Sequence, residues 1–390
     1  METIQLYKQN PYQQKFEATV LACHQEKEGY DVILDQTAFF PEGGGQYGDR
    51  GFLNDIEVVD TQIKDGIILH RTNKPFDVGT KVCGQLNWER RYSFMQNHSA
   101  EHMMSGLIHK TYGYDNVGFH LGEEEMTLDF NGMLSMEQLL ELEQQVNEKI
   151  WGNIPIKESY PTKEEEEQLE YRSKKEVEDA LRIITIEGID CCACCAPHVK
   201  ISGEIGLVKV IGVQKNKMGV RVTMLAGKRA VLDYDKKHEQ TGKVGQLLSV
   251  PVEQMVDAVK KLQEEKQQLE HELLGVKLLF LQQKAAHIVP ENGIACIEIE
   301  ELSGKEIREL CNYLMEKGQI AVVLNKKEEK EEIQYTIGSK HTDVRAINSL
   351  LKETLNGRGG GNAQMVQGTL FGTKEEVLNC IKSLGEKYDE

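Results

Sequence analysis

The feature that most constrains this chain is a run of heptad spacing past its midpoint. Val252, Met255, Val259, Leu262, Lys266, Leu269, Leu273, Val276 and Phe280 advance by alternating steps of three and four, with Lys266 the one polar member. Such spacing holds a single apolar stripe on a helix, here over about four heptads. It predicts one long helix over 241–286. A helix of that length cannot belong to a strand-based core, so the residues before it and after it must build cores of their own. The stripe also needs a cover. A second copy of the chain and an intrachain helical hairpin are candidates, with a plain core-packed helix as the competing reading, and we expect a homodimer through 252–280 and the C-terminal domain.

On either side the hydrophobic period changes. Phe16-Glu17-Ala18-Thr19-Val20-Leu21 and Tyr30-Asp31-Val32-Ile33-Leu34 alternate as strands do, and residues 1–88 read as a small β-barrel. Residues 89–240 read as an α+β domain. It has helices over 89–111, from Ser135 to about Trp151 and over 162–181, and strands at Ile183–Ile186 and 205–226. Ser135-Met136-Glu137-Gln138 is a capping-box pattern that opens the second helix. After the long helix, 241–287, residues 288–390 alternate again as an α/β domain. Its strands are Ile320–Leu324 and Ile333–Ile337, and its helices Val344–Leu355 and Thr373–Leu384. Gly357-Arg358-Gly359-Gly360-Gly361 falls between those helices and reads as a loop. The expected fold class is therefore α+β, in several domains.

Charge and hydropathy narrow the class further. The longest apolar runs fall well short of about 18 residues, so no segment spans a membrane. The N-terminal METIQLYKQNPYQQKF lacks the apolar stretch of a signal peptide, and the expected location is the cytoplasm. A net charge of −17 argues against nucleic acid as a partner. The charge is unevenly spread, however. Residues 198–238 carry seven Lys and two Arg against three acidic residues, while acid collects in Lys163-Glu164-Glu165-Glu166-Glu167. Lys215, Lys217, Arg221, Lys228 and Arg229 are thus candidate phosphate contacts, and a solvated surface is the competing reading.

Three segments carry chemistry. His98-Ser99-Ala100-Glu101-His102 places two imidazoles four apart, on one face of a helix, as a shared metal ion requires. Cys194-Cys195-Ala196-Pro197-His198 offers a thiolate and an imidazole at the same spacing. Two ligand pairs distant in sequence form a common tetrahedral zinc arrangement, which implies one zinc per chain. Cys191 with Cys194, or Cys192 with Cys195, also makes a C-x-x-C pair. A redox pair should sit between a strand and a helix start, and here Pro197-His198-Val199 and more strand follow. Cys23, Cys83, Cys296, Cys311 and Cys380 read as buried small side chains. The third segment is Phe39-Phe40-Pro41-Glu42-Gly43-Gly44-Gly45-Gln46. Its glycines permit close backbone approach to a ligand, and its flanking aromatics and Pro oppose a flexible turn.

Phe40–Gln46, His98-x-x-x-His102 and Cys194-x-x-x-His198, in this order, resemble the editing half of alanyl-tRNA synthetases. Val117-Gly118-Phe119-His120-Leu121-Gly122 looks like a further segment of that family, and Gly357–Gly361 resembles the C-terminal domain shared by the synthetases and DHH phosphoesterases. Jointly the resemblance covers nearly the whole chain and matches the long form of the freestanding AlaX-type editing proteins. Two positions depart from it. Ser99 and Glu101 stand where the synthetases usually carry threonines, and Cys195-Ala196-Pro197 replaces Cys-Gly-Gly-Thr-His at its middle.

The resemblance implies hydrolysis of mischarged tRNA(Ala), chiefly Ser-tRNA(Ala), with Gly-tRNA(Ala) the second candidate. The chain has no room for an aminoacylation domain ahead of its barrel, so it is expected to hydrolyse and not to synthesise aminoacyl-tRNA. Zinc at His98, His102, Cys194 and His198 would activate water, polarise the carbonyl or organise the pocket. Gln46 and Thr37 are the expected contacts to the amino acid, and Arg358 is a further candidate for tRNA. A non-catalytic tRNA-binding protein and a metal-dependent phosphoesterase are the alternatives. The second would need an Asp-His-His ligand set, which the sequence does not offer.

Overall fold

A computed structural model describes residues 3–173, 181–326 and 332–385. The chain divides into two units, Met1–Lys243 and Val244–Glu390.

In the first unit, alternation sets the barrel. Phe16, Ala18 and Val20 point inward along Lys15–Glu26 while their neighbours face out. Six strands close in the order Lys15–Glu26, Gly29–Leu34, Ile67–Thr72, Ile56–Lys64, Gly51–Leu53 and Lys81–Leu86. Val20, Val32, Leu34, Phe39, Leu53 and Val82 fill the interior.

The chain leaves the barrel directly into the helix Trp88–Tyr112, hereafter the central helix. Asn87 caps it, accepting from the Arg90 N–H, and Gly113 ends it at φ 69°, a conformation that costs a Cβ-bearing residue more. A cap of this kind is worth about 1 kcal/mol. The central helix has no strong apolar stripe because nearly every residue from Phe94 to Ile108 is buried. It packs with the helix Met136–Trp151 on a four-stranded antiparallel sheet, ordered Val208–Asn216, Gly219–Ala226, Met126–Phe130, Asn116–Leu121. The capping box at Ser135 and Gln138 is formed.

A three-stranded sheet, Ile156–Ser159, Ile183–Ile186 and Asp190–Ala193, lies against the central helix at Gly106. A Cβ on Gly106 would stand 2.5 Å from the Ile189 carbonyl oxygen, so only glycine admits the strand there. The expected helix over 162–181 is instead a single turn, Lys163–Glu166, with a capping box between Thr162 and Glu165. Consecutive like charges and no apolar stripe give a longer helix nothing to bury. Arg172 already bridges to Cys192, and residues 174–180 lie outside the described residues.

The expected single helix over 241–286 is two helices, Lys228–Leu248 and Met255–Ala286. Pro251 is the reason: it bars its predecessor from helical backbone, and Ser249 turns at φ 55° just before it. Along the second helix Val259, Leu262, Leu269, Leu273, Val276 and Phe280 are exposed, whereas Leu281 and Ala285 are buried.

The second unit is built on five strands, ordered Ile294–Glu300, Ile320–Lys326, Ile333–Gly338, Met365–Leu370, Arg358–Gly361, with only the first pair parallel. Alternation again assigns the faces. Val322 and Leu324 pack with helices Arg345–Thr354 and Lys374–Gly385, while Ala321 and Val323 pack with helix Gly304–Met315. The glycine segment expected as a loop is the edge strand Arg358–Gly361. Gly359 and Gly368 are bare where the Tyr335 hydroxyl approaches, 2.6 and 2.7 Å from where their Cβ atoms would lie. Among the described residues of either unit, no helix is long and apolar enough to cross a membrane.

Candidate metal centre

The centre is built on the buried middle of the central helix. His98 and His102 are one turn apart, and both are 1% exposed. Cys194 and His198 arrive from the segment that follows strand Asp190–Ala193. Cys194 Sγ lies 3.6 Å from His98 Nε2 and 3.3 Å from His198 Nε2. One ligand atom from each of the four residues lies within 4.8 Å of the others.

Each imidazole is held by its other nitrogen. His98 Nδ1 donates to Gln46 Oε1 at 3.0 Å, and His102 Nδ1 donates to Asp190 Oδ2 at 2.8 Å. His198 Nδ1 lies 3.0 Å from Ser99 Oγ, which also accepts from the Val199 N–H. Carboxylate and amide oxygens bear no hydrogen, so in His98 and His102 it is Nδ1 that carries the proton. The Nε2 lone pairs are then free to point inward, the arrangement that outer partners impose on metal-binding histidines. Asp190 is held in turn by Arg172, at 2.7 and 2.9 Å.

The electrostatics agree. Burial alone would push the Cys194 thiol up. The adjoining His98 and His198, with hydrogen bonds from His102 and His198, outweigh burial and hold the thiol well below its ordinary value. A thiolate is the form that binds a metal. His102 is raised well above its ordinary value, since burial opposes the charge but the Asp190 hydrogen bond overcomes it; here a metal would bind by displacing the proton that this favours on Nε2. Burial pushes His198 down to about 3. The donor set, three imidazole nitrogens and one thiolate, therefore fits a tetrahedral transition metal. A second grouping, His102 with Asp190 and Cys192, is less suited. Asp190 is already committed to Arg172, and burial pushes the Cys192 thiol up to about 11.

The glycine-rich segment forms one wall. Gly43 and Gln46 exchange backbone hydrogen bonds at 3.0 and 3.1 Å across a tight turn, with Gly44 and Gly45 at φ 60° and 82°. A Cβ on Gly45 would meet the Phe119 carbonyl oxygen at 2.5 Å. Phe119, from the segment noted in the sequence, lies with its ring 4.8 Å from that of His98. Arg91, two turns before His98 on the central helix, is fully buried and pairs with Asp49. Asp49 Oδ2 also accepts from the Phe40 N–H at 2.7 Å, which fixes the far end of the loop. Gln46 is thereby fully buried, with its Nε2 donor lacking a partner among the described residues.

The sequence-predicted residues separate in space. Gln46 joins the four ligands. Thr37 is buried in the barrel with its hydroxyl 2.8 Å from His70 Nε2. Lys215 and Lys217 are exposed at the hairpin joining Val208–Asn216 to Gly219–Ala226. Arg221 is paired with Asp129 through two bonds of 2.7 Å. Lys228 pairs with Glu89, and Arg229 donates to Ser93 Oγ and the Gly122 carbonyl, both at 2.9 Å. Arg358 is exposed on the edge strand of the second unit. Sequence reading missed Asp190, Arg172 and the Arg91–Asp49 pair. Arg91 alone left a signal, an arginine seven residues before His98 and so on the same helix face.

Comparison with known proteins agrees with this geometry. Residues 4–90 match the family described as tRNA synthetases class II (A). Residues 181–223, which contain Cys194 and His198, match the threonyl and alanyl tRNA synthetase second additional domain. The chain is 27% identical over 385 residues to the alanyl-tRNA editing protein Aarsd1 of Mus musculus, covering 93% of both. It is 28% identical over 396 residues to the alanyl-tRNA editing protein AlaX-L of Pyrococcus horikoshii, covering 96% of both. An alanine–tRNA ligase of Methanococcus maripaludis is 30% identical over 403 residues, 99% of this chain but 44% of that protein. Both editing proteins match from end to end, and the shared domain holds half of the ligand set: over nearly its whole length the chain is similar to alanyl-tRNA editing proteins.

Proposed function

We propose that this chain is a trans-editing deacylase that cleaves the ester between a wrong amino acid and tRNA(Ala), chiefly Ser-tRNA(Ala), with Gly-tRNA(Ala) as second candidate. One observation carries the reading. Three Nε2 atoms and a thiolate converge beside a buried amide donor, Gln46 Nε2, that lacks a partner. The donor set suits a single zinc ion, which when bound supplies Lewis acidity to a carbonyl or a water.

The chain's own groups do the rest. Gln46 offers its free N–H to the serine hydroxyl. Alanine would leave that donor unpaired, which disfavours the correctly charged tRNA. Thr37, tied to His70, supports the same wall. In the reaction the water oxygen bonds to the ester carbon, the bond to the ribose oxygen breaks, and the proton ends on that oxygen.

Lys215, Lys217, Arg221, Lys228 and Arg229 are assigned to phosphates near the first unit, and Arg358 to tRNA at the second. The exposed stripe of Met255–Ala286 is assigned to a homodimer, and the cytoplasm, where charged tRNA is used, to the site of action. Side-by-side deacylation of tRNA(Ala) charged with serine, glycine or alanine tests the reading. Release of serine well above the buffer rate, with alanine spared, is expected. Release of none by metal-loaded protein overturns it.

A further inference from the structure

A cleft of about 510 Å³ opens where the barrel meets the central helix. Its lining carries four cations, Arg50, Arg90, Lys228 and Arg229, against three carboxylates, Glu57, Glu89 and Glu123. The three arginines, Arg90, Arg50 and Arg229, gather around one carboxylate, that of Glu123. Arg90 donates to it at 2.8 Å, Arg50 stands 3.5 Å away, and all three guanidinium groups hold the Glu123 acid below its ordinary range against the opposing effect of burial. Arg229 is half-buried, yet both of its hydrogen bonds end on neutral oxygens, and among the described residues no carboxylate pairs with it. Glu123 acts on it only through space, and a partly buried cation that lacks a direct anionic contact is a costly arrangement. Lys228 lines the same cleft, paired there with Glu89, and Phe52 and Leu232 add exposed apolar surface.

The cleft shares its walls with the centre. Arg90 donates to the Gly48 carbonyl, two residues past Gln46. Arg229 donates to Gly122, which follows the strand bearing Phe119. Ser93, which holds Arg229, is five residues before His98, about 7.5 Å along the helix axis. The cleft and the centre are thus built on the same helix and on neighbouring loops.

We propose that this cleft binds a backbone phosphodiester of the tRNA acceptor end, and that Glu123 is a place-holder which the phosphate displaces from Arg50, Arg90 and Arg229. The carboxylate of Glu123 is 45% exposed and can turn outward, whereas the Arg90 side chain is 9% exposed and stays. The two non-bridging oxygens of a phosphodiester carry the same single charge as the carboxylate they replace, in a tetrahedral shape that can face more than one guanidinium at once. Phe52 and Leu232 suit the apolar face of the attached ribose or base. The assignment rests on the editing reading for its choice of RNA.

The test measures binding of uncharged tRNA(Ala) to the full, metal-loaded chain against salt concentration. Arg50→Ala and Arg229→Gln should each weaken binding severalfold and lower the salt slope by about 1. Glu123→Gln should do the opposite and tighten binding, which no loss of folding would produce. Metal content and melting temperature report on folding for each variant. If Glu123→Gln weakens binding or leaves it unchanged, or if Arg50→Ala leaves affinity and slope intact, the assignment is overturned. Because the readout is binding, the expected pattern without any seryl-tRNA hydrolysis would leave the cleft standing and remove the editing reading alone.

Discussion

His102 Nδ1 donates to Asp190 across 88 residues of sequence, and Asp190 is itself clamped by Arg172. The carboxylate makes the ring a better ligand and fixes its orientation. Asp190→Asn keeps an acceptor but removes the charge. It is expected to lower metal affinity roughly 10- to 100-fold, the usual effect of losing such a partner. Competition with a chromophoric chelator measures it, and unchanged affinity would show that His102 is held by packing alone.

The two neighbouring cysteines should part company. Cys194 is held as a thiolate among three imidazoles, while burial keeps the Cys192 thiol protonated, with its pKa pushed up to about 11. Cys194→Ala should strip most of the metal from purified protein, and Cys192→Ala should leave close to one ion per chain. Equal loss from both, read by elemental analysis, would mean that the wrong sulfur has been assigned.

Gln46 and Thr37 should differ in a similar way. Gln46→Ala removes both the bond to His98 and the free donor, and deacylation of Ser-tRNA(Ala) should fall by at least roughly 10- to 100-fold, the usual effect of losing the partner that orients a metal-binding histidine. Thr37→Val loses the bond to His70 and should act chiefly on stability, by about 1 kcal/mol. Single-turnover rates and melting temperatures separate the two. A larger rate loss from Thr37→Val would place its hydroxyl on the substrate.

His70 supplies a pH signature. It is fully buried and neutral, donating from Nδ1 to Val32 O and accepting at Nε2 from Thr37, and burial pushes it down to about 4. In the unfolded chain a histidine takes up its proton near pH 6.5. Stability from this group is therefore complete above pH 6.5 and falls as pH drops toward 4, with about 2 kcal/mol lost by pH 5. Urea denaturation at pH 7.5 and 5 should show that loss in the wild type, and His70→Gln should reduce it by the same amount. An identical pH dependence in the variant would contradict the assignment.

The exposed stripe gives the last expectation. Leu262, Leu269 and Leu273 are each more than half exposed on one helix, more apolar surface than a single helix usually leaves in water. Light scattering at micromolar concentration should report a dimer, and Leu269→Glu should shift it to monomer. A monomeric wild type would count against pairing through this helix.

What could be read from the sequence was what repeats or sits close together. The ligand pairs His98–His102 and Cys194–His198 are local and lie one helical turn or one short loop apart. Asp190 gave no such sign, because its relation to His102 exists only once a strand lies on a helix. Pro251 was legible, and the heptad stripe begins only at Val252; carrying the helix back to 241 overlooks the proline that separates the two helices. Arg358–Gly361 was obscure for the opposite reason. Glycine is poor in strands, and bare backbone is needed there because a Cβ on Gly359 would crowd the Gln367 carbonyl oxygen and the Tyr335 hydroxyl, and one on Gly361 would crowd the Met365 carbonyl oxygen.

Gly106 extends this to how the centre can be lost. The strand that delivers Asp190 rests on the helix at a point where a single methyl group would not fit. Adding it would lift the strand and draw the carboxylate away from His102, with all four coordinating side chains untouched. Inactivation of this centre during divergence therefore need not pass through its ligands. A relative that retains His98, His102, Cys194 and His198 but carries any larger residue at 106 is expected to be a metal-poor protein with an intact signature.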